Sequence, residues 1–283
     1  MCERRSPRYF NSLLGQLIGE QQPGGLTVRG ALYRAVSTGI YDGTGKDDYR
    51  ACGRLVLLMR RYGLIPYNWI RDSTRRKIKT NSWTSLCDFA EAAANAYHKD
   101  LWQDQNFHVE ILTEKDAMAA ILEEVTLDFD VGLNVLRGDS SETFLWELSQ
   151  EWTDIEKPIV IYYFGDHDPK GLDIERSVCQ KLVEFLDGRH LEWHRLAITP
   201  TDFANQELLG FETKKSANDR LWRAYVARYG DRCVEVDAIP ANEVRARLRA
   251  AIEGHIDPDK WGLLEATETA ERERVREALA ELG

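Results

Sequence analysis

The stretch that decides the fold is Pro158-Ile159-Val160-Ile161-Tyr162-Tyr163-Phe164-Gly165-Asp166-His167-Asp168-Pro169-Lys170-Gly171. Its six consecutive apolar residues are typical of a strand that is buried on both faces, inside a parallel sheet covered by helices. Functional groups gather at the carboxyl ends of such strands, which is where Asp166 and Asp168 stand. Mg²⁺ prefers oxygen ligands and usually takes one or two protein carboxylates, so this spacing suits a magnesium site. Two solvated acids in a loop is the alternative interpretation.

A second apolar stretch also ends on an acid. It is Phe107-His-Val-Glu-Ile-Leu-Thr-Glu114-Lys115-Asp116-Ala117, and the residues after it favour a helix. The ends of parallel strands can meet at one edge of the sheet. We therefore expect Glu114, Asp166 and Asp168 to gather around a shared cation.

These motifs carry a family resemblance. The chain resembles the Toprim fold of topoisomerases, primases and some nucleases in three motifs. These are Glu-Lys-Asp-Ala at 114–117, Asp-x-Asp-Pro-x-Gly at 166–171 and, between them, Arg137-Gly-Asp-Ser-Ser. Within Toprim proteins the sequence is most similar to the A subunit of topoisomerase VI and the related meiotic double-strand-break transesterase. The resemblance implies Mg²⁺, for which Mn²⁺ can substitute, held by Glu114, Asp166 and Asp168. Lys115 would face the phosphate or pair with a carboxylate.

Tyr33 is the candidate nucleophile. It lies one helical turn after Arg29, so both side chains share a helix face, and a nearby guanidinium favours a phenolate. The family pattern is Arg-(Asp/Glu)-x-Tyr-Tyr, whereas this chain has Arg29-Gly-Ala-Leu-Tyr33. Arg29 and Tyr33 match the arginine and the second tyrosine of this pattern. Gly30 and Leu32 stand where the family has the acid and the first tyrosine. A buried packing role for Tyr33 and a phosphate contact or solvated charge for Arg29 are the alternatives.

The amino-terminal region reads as a winged helix-turn-helix of the CAP-like kind. Helices are predicted at 9–21, 28–37 and 47–62, followed by a basic, aromatic, hairpin-like segment at 64–79. Such a domain places a helix in the major groove and a basic wing on the DNA backbone. The predicted DNA contacts are Arg54, Arg60, Arg61, Arg75, Arg76 and Lys77.

Charge is divided unevenly along the chain. Residues 1–80 hold 15 Lys and Arg against 6 Asp and Glu, which gives a net charge of +9. The remaining residues hold 22 Lys and Arg against 41 Asp and Glu, which gives a net charge of −19. This asymmetry indicates different partners for the two parts, with phosphates facing the basic one. The five scattered cysteines indicate reduced thiols, and neither a bilayer-spanning run nor a signal peptide is recognisable. A cytoplasmic, nucleoid-associated protein is expected.

Three predicted units follow: a winged-helix domain at 1–81, a connecting helix and linker at 82–106, and a Toprim domain with carboxyl-terminal helices at 107–283. Predicted strands lie at 107–113, 131–136, 159–164, 192–198 and 233–237, and predicted helices at 116–124, 142–151, 171–187, 216–229 and 241–254. The alternation predicts an α/β fold with a mostly parallel sheet flanked by helices. The sequences at 196–202 and 234–239 resemble further family segments. The chain is expected to be a reduced version of the topoisomerase subunit, without the longer amino-terminal region that helps grip an ATPase B subunit.

Several functions remain open on the sequence. The first is Mg²⁺-dependent transesterification of double-stranded DNA by Tyr33; the family resemblance implies a homodimer whose subunits complete each other's sites and leave a protein-linked 5′ end. The second is hydrolysis by water, as in the similar Toprim nuclease of the Wadjet plasmid-defence system. The third is a non-catalytic DNA-binding protein, which would have no physical need for clustered carboxylates. A phosphatase or sugar-transferase would leave Glu114 and the basic region without a role.

Overall fold

The computed structural model of the chain describes residues 7–21, 25–70, 80–137, 142–213 and 220–280. The helices are α1 (Pro7–Gly19), α2 (Val28–Ser37), α3 (Lys46–Arg61), α4 (Leu86–Ala96), α5 (Asp116–Asp128), α6 (Glu142–Glu151), α7 (Pro169–Phe185), α8 (Pro200–Ala204), α9 (Arg220–Tyr229), α10 (Ala241–Glu253) and α11 (Pro258–Ala280). The strands are β1 (His108–Thr113), β2 (Gly132–Val135), β3 (Ile159–Phe164), β4 (Leu191–Ala197), β5 (Gly210–Glu212) and β6 (Arg232–Val234). Short 3-10 helices cover Tyr67–Trp69 and Val236–Ala238.

Strands β1 to β4 form one parallel sheet in the order β2-β1-β3-β4. All six residues of the inner strand β3 are buried, as its apolar run predicts. The register pairs Thr113, the last residue of β1, with Phe164, the last residue of β3. The residues that follow these two strands therefore emerge side by side at one edge. The predicted α/β architecture is confirmed, and the four strands end within one residue of their predicted bounds.

Helices cover both faces of this sheet. Ile161 and Tyr163 pack in one hydrophobic cluster with α6 and α7. The alternate residues Val160 and Phe164 pack in a second cluster with α5 and α10. Burying an apolar side chain of this size stabilises the fold by roughly 1.5–3 kcal/mol, so β3 anchors both layers and gives the residues after it a rigid base.

The strand predicted at 233–237 differs from the structure. β6 covers only Arg232–Val234 and pairs antiparallel with β5 in a separate two-stranded sheet. Val234 also exchanges backbone hydrogen bonds with His167, and the chain then turns into the Val236–Ala238 3-10 helix. The bounds of β6 are set by its pairing with the loop after β3. An alternating apolar pattern in the sequence does not encode such a tertiary contact.

The three helices predicted at the amino terminus are present as α1, α2 and α3. Their buried residues Leu14, Leu32 and Met59 belong to the same hydrophobic cluster as Val109 and Ile111 of β1. The basic segment expected to form a wing falls mostly on residues 71–79, which lie outside the described residues. The winged-helix assignment and the domain limits therefore stay predictions.

The connecting helix predicted at the start of the 82–106 segment is short in the structure. α4 ends at Ala96, because the backbone beyond it bonds to α11 instead: Lys99 N–H donates to Glu268 at 2.9 Å, and Arg272 donates to the Tyr97 carbonyl at 3.0 Å. α4 and α11 pack along each other. Among the described helices, none combines the length and the apolar character needed to cross a membrane.

Candidate functional site at the carboxyl edge of the sheet

The predicted acids lie together at the carboxyl edge of β1 and β3. The Glu114 N–H donates to the Phe164 carbonyl at 3.2 Å, which extends the strand pairing by one residue. The carboxyl group of Glu114 therefore stands beside the loop that carries Asp166 and Asp168, close enough for all three charges to interact. This is the convergence that the strand order predicts.

Of these three acids, Glu114 has the fewest hydrogen-bond and ion-pair partners among the described residues. Its Oε2 is buried and has no hydrogen-bond partner among the described residues. The pKa of Glu114 is raised to about 7, chiefly by burial and also by the negative charges of Asp166 and Asp168, while the positive charge of Lys115 opposes the rise. An unpaired carboxylate oxygen beside two other acids is a position that favours a cation.

Asp166 and Asp168 are held in different ways. Asp166 is buried; its Oδ1 accepts from the Val236 N–H at 2.8 Å and its Oδ2 lies 2.7 Å from Lys115 Nζ. Burial raises the pKa of Asp166 to about 6, although the Lys115 ammonium opposes the rise. Asp168 caps α7 by accepting from the Gly171 N–H at 2.7 Å. The next turn passes so close that a Cβ on Gly171 would lie 2.6 Å from the Asp166 carbonyl oxygen, so the site requires glycine there.

Lys115 is surrounded by three carboxylates. Its Nζ lies 2.7 Å from Asp166, 2.9 Å from Glu235 and 3.1 Å from Asp237. Burial alone would lower the pKa of Lys115, but Asp237, Asp166 and Glu235 together raise it well above its usual value. Of the two roles expected for Lys115, the structure has the pairing with carboxylates.

Arg29 and Tyr33 lie on one face of α2, as their spacing predicts. Thr27 caps the helix by accepting from the Gly30 N–H at 3.1 Å, and the Arg29 guanidinium stands 5.5 Å from the centre of the Tyr33 ring. Arg29 pairs with Glu235 and lies 3.6 Å from Asp237. Glu235 and Asp237, which also pair with Lys115, therefore connect helix α2 to the edge of the sheet.

Tyr33 is fully buried. Its side chain is 0% exposed, and its hydroxyl has no hydrogen-bond partner within the described residues. Burial raises the pKa of Tyr33 far above that of free tyrosine; the negative charge of Glu235 adds to the rise, and Arg29 opposes it. The phenol is therefore neutral and inaccessible to solvent in this conformation.

Arg195 is a residue that the sequence did not single out. It lies on β4, and its guanidinium donates to the carbonyls of Gly165 and Ile198 at 2.9 Å and of Asp166 at 3.1 Å. It also pairs with Glu175 of α7 at 2.9 Å. One side chain thereby fixes the backbone at the start of the Asp166–Asp168 loop. An arginine near the end of a half-buried strand was the only sequence signal.

Two further residues were signalled only by the resemblance at 234–239. Burial would raise the pKa of Glu235, but Lys115 and Arg29 lower it to about 2. Asp237 is buried beside them. His167, between the two aspartates, stacks on Phe203 with ring centres 4.0 Å apart.

The predicted DNA-contacting residues fall into three groups. Arg54 and Arg61 are exposed on α3. Arg60 is half-buried, donates to the Tyr67 carbonyl at 2.8 Å and stands over the Tyr67 ring, so part of its donor capacity is used within the chain. The remaining predicted contacts lie outside the described residues: Arg75, Arg76 and Lys77.

The fit of the edge to a divalent cation is partial. Within 7–21, 25–70, 80–137, 142–213 and 220–280, no three His, Cys, Asp or Glu side chains are placed together so as to hold a metal ion. Asp166 has Lys115 as its counter-charge. Glu114, with its unpaired oxygen, and Asp168 have no ion pair within the described part of the chain and suit a cation that takes two carboxylates.

Comparison with known proteins gives the chain no family. Neither the family models nor the curated proteins contain a match to it. The resemblance of residues 114–117 and 166–171 to the topoisomerase VI A subunit therefore stays a hypothesis, and function rests on the chemistry of the edge itself.

Proposed function

We propose that this protein cleaves duplex DNA in a reaction that depends on Mg²⁺ or Mn²⁺, at the edge formed by Glu114, Asp166 and Asp168. The observation that carries the proposal is Glu114, whose buried Oε2 has no hydrogen-bond partner among the described residues and whose pKa of about 7 reflects burial beside two other acids. Burying Glu114 beside two other acids costs free energy, and perturbed carboxyls of this kind cluster at functional sites. A basic amino-terminal part supplies affinity for phosphates.

Glu114 and Asp168 would hold the cation. When bound, Mg²⁺ supplies positive charge that neutralises phosphate oxygens and stabilises the leaving 3′-oxygen. Asp166, fixed by the Val236 N–H and Lys115, keeps the loop and the ammonium in place. Arg195 holds the same loop through its carbonyl oxygens. These residues therefore orient the site rather than react.

Water is the nucleophile that the geometry favours. Attack by Tyr33 needs an exposed phenolate, whereas the Tyr33 hydroxyl is buried and its pKa is raised. Transesterification by Tyr33 stays the second candidate, because Arg29 stands beside the ring and the pair lies next to the acidic edge. It requires α2 to leave its contact with Glu235, as it would if the tyrosine served the site of a second subunit.

The remaining parts of the proposal concern partners. A winged helix formed by α1 to α3 and the following basic segment would deliver double-stranded DNA to the edge, with Arg54 and Arg61 as phosphate contacts. A homodimer would cut both strands. An ATPase subunit of the topoisomerase VI B type is a further expected partner, and the nucleoid is the expected location.

The test is cleavage of supercoiled plasmid and end-labelled duplex by the full chain in Mg²⁺ or Mn²⁺. Glu114→Gln and Asp168→Asn should each lower the rate by on the order of 100-fold or more, since each removes a charge from the cation site. Glu253→Gln, at an exposed position on α10, is the matched control and should cut like the parent chain. Absence of cutting with both metals, with DNA binding intact, would leave a non-catalytic DNA-binding protein instead.

Tyr33→Phe separates the two nucleophiles. A hydrolase keeps cutting after this change and gives product whose mobility on a denaturing gel does not depend on protease treatment. A transesterase loses both cleavage and the labelled band that shifts until protease is added.

A further inference from the structure

Helix α9 (Arg220–Tyr229) lies directly behind the aspartate loop. The Tyr225 hydroxyl is 2.9 Å from both Nδ1 and the carbonyl oxygen of His167, the residue between the two aspartates. The Tyr229 ring stands edge-on to His167 with centres 4.8 Å apart. The inner side of α9 is therefore fixed to the candidate site, and a helix is only about 10–12 Å across.

The outer side of the same helix is basic. Arg220, Arg223 and Arg228 are exposed. Helical spacing puts Arg220 and Arg223 on the side away from buried Tyr225, and Arg228, three residues after Tyr225, lies at the margin of that side. Residues 220–229 contain these three arginines and no acid, although residues 81–283 as a whole carry a charge of −19. A local positive surface thus stands beside the acidic edge.

These arginines are free to meet an outside anion. Within the described part of the chain none of the three forms an ion pair, and Arg228 only stands over the neighbouring Tyr229 ring at 5.1 Å. Exposed arginines elsewhere do pair: Arg176 with Asp173, Arg249 with Asp128 and Arg276 with Glu273. Arginine that lacks an internal carboxylate and faces solvent is well suited to phosphate oxygens.

We propose that the exposed face of α9 is a second DNA-contacting surface, which holds the backbone of the duplex next to the acidic edge. The inference rests on the proposed function and adds a partner contact that the amino-terminal module does not provide. Arg220 and Arg228 are separated by about 12 Å along the helix, a length over which a duplex presents about seven phosphates. The surface therefore holds DNA by charge and without sequence preference.

The experiment measures DNA binding separately from cleavage. A fluorescent duplex is titrated with the full chain without divalent cations, over about 50 to 200 mM salt, and the slope of log affinity against log salt is recorded. The variant R220Q/R223Q/R228Q should flatten that slope by about 2 to 3, since each lost phosphate contact removes about 0.9. The control R176Q/R249Q/R276Q removes the same charge from paired arginines and should leave the slope within about 0.5 of the parent chain.

The outcomes distinguish the two proposals. Equal slopes for the α9 variant and the control would overturn the role of α9, whatever the parent chain cleaves. A flattened slope confined to the α9 variant would support it, even if the parent chain proved unable to cut and the proposed function fell. Unchanged urea unfolding of both variants shows that the comparison concerns binding alone, because all six positions are on the surface.

Discussion

Glu235→Gln tests the charge network that joins α2 to the sheet edge. The Glu235 carboxyl accepts from Lys115 Nζ at 2.9 Å and from Arg29, and its side chain is 16% exposed. Its pKa is lowered from 4.5 to about 2, because the two cations outweigh the effect of burial. One pKa unit corresponds to about 1.4 kcal/mol, so these interactions stabilise the folded chain by about 3 kcal/mol at neutral pH.

The lowered pKa of Glu235 determines the pH range in which its loss should be measured. A carboxyl whose folded pKa is depressed adds stability that is present above its unfolded pKa of 4.5 and is lost as pH falls toward 2. Urea unfolding followed by tryptophan fluorescence should therefore show Glu235→Gln to be less stable by about 3 kcal/mol, with the same difference from about pH 6 to 8.

A matched change at an exposed pair provides the control. Glu273 pairs with Arg276, but its side chain is 61% exposed, so Glu273→Gln should cost less than about 1 kcal/mol. If Glu235→Gln also cost less than about 1 kcal/mol, Asp237 alone would suffice to hold Arg29 and Lys115, and the coupling of α2 to the edge through Glu235 would be refuted.

Two further predictions concern residues that fix the loop and the sheet. Arg195→Met should lower cleavage by about 10- to 100-fold and raise the Mg²⁺ concentration needed for half-maximal rate, because the carbonyls of Gly165 and Asp166 each lose the guanidinium as a donor. Cleavage at the parent rate and the parent Mg²⁺ requirement would show that the loop holds without Arg195. Burial lowers the pKa of His255, whose Nε2 lies 2.7 Å from the Tyr162 hydroxyl. Its contribution to stability is complete above the unfolded histidine pKa of about 6.5 and declines as pH falls below it. His255→Gln should flatten the fall in the urea midpoint between about pH 7.5 and 5, and an unchanged slope would remove His255 as a cause.

The sequence was sufficient for the sheet and for placing Glu114 and Asp166 at its carboxyl edge, whereas a cluster of three acids able to hold a metal is not found among the described residues. A continuous apolar run such as Ile159–Phe164 has few structural alternatives, and parallel strands that each end on an acid bring those acids to one edge. The positions of Glu114 and Asp166 followed from that rule alone, as did the shared face of Arg29 and Tyr33 from helical spacing.

Contacts between distant segments could not be predicted. Lys115 meets Asp237 and Glu235 across about 120 residues, and no local pattern specifies such a partner. Arg195 acts through backbone carbonyls, which leave no trace in the sequence. The end of α4 at Ala96 and the separate sheet of β5 and β6 are likewise set by tertiary hydrogen bonds, which override the local preference for helix or strand.

The charges at the edge divide into a balanced and an unbalanced group. Asp166, Glu235 and Asp237 share the cations of Lys115 and Arg29, and these contacts hold the fold together. Glu114 and Asp168 form no ion pair within the described residues, and phosphate could not approach them without an added cation, since like charges repel. The contacts of the balanced group tie the loop to the rest of the fold, and an added cation would be stabilised most beside the unbalanced pair. Substitution in the first group should therefore appear chiefly as lost stability, and substitution in the second chiefly as lost metal-dependent cleavage.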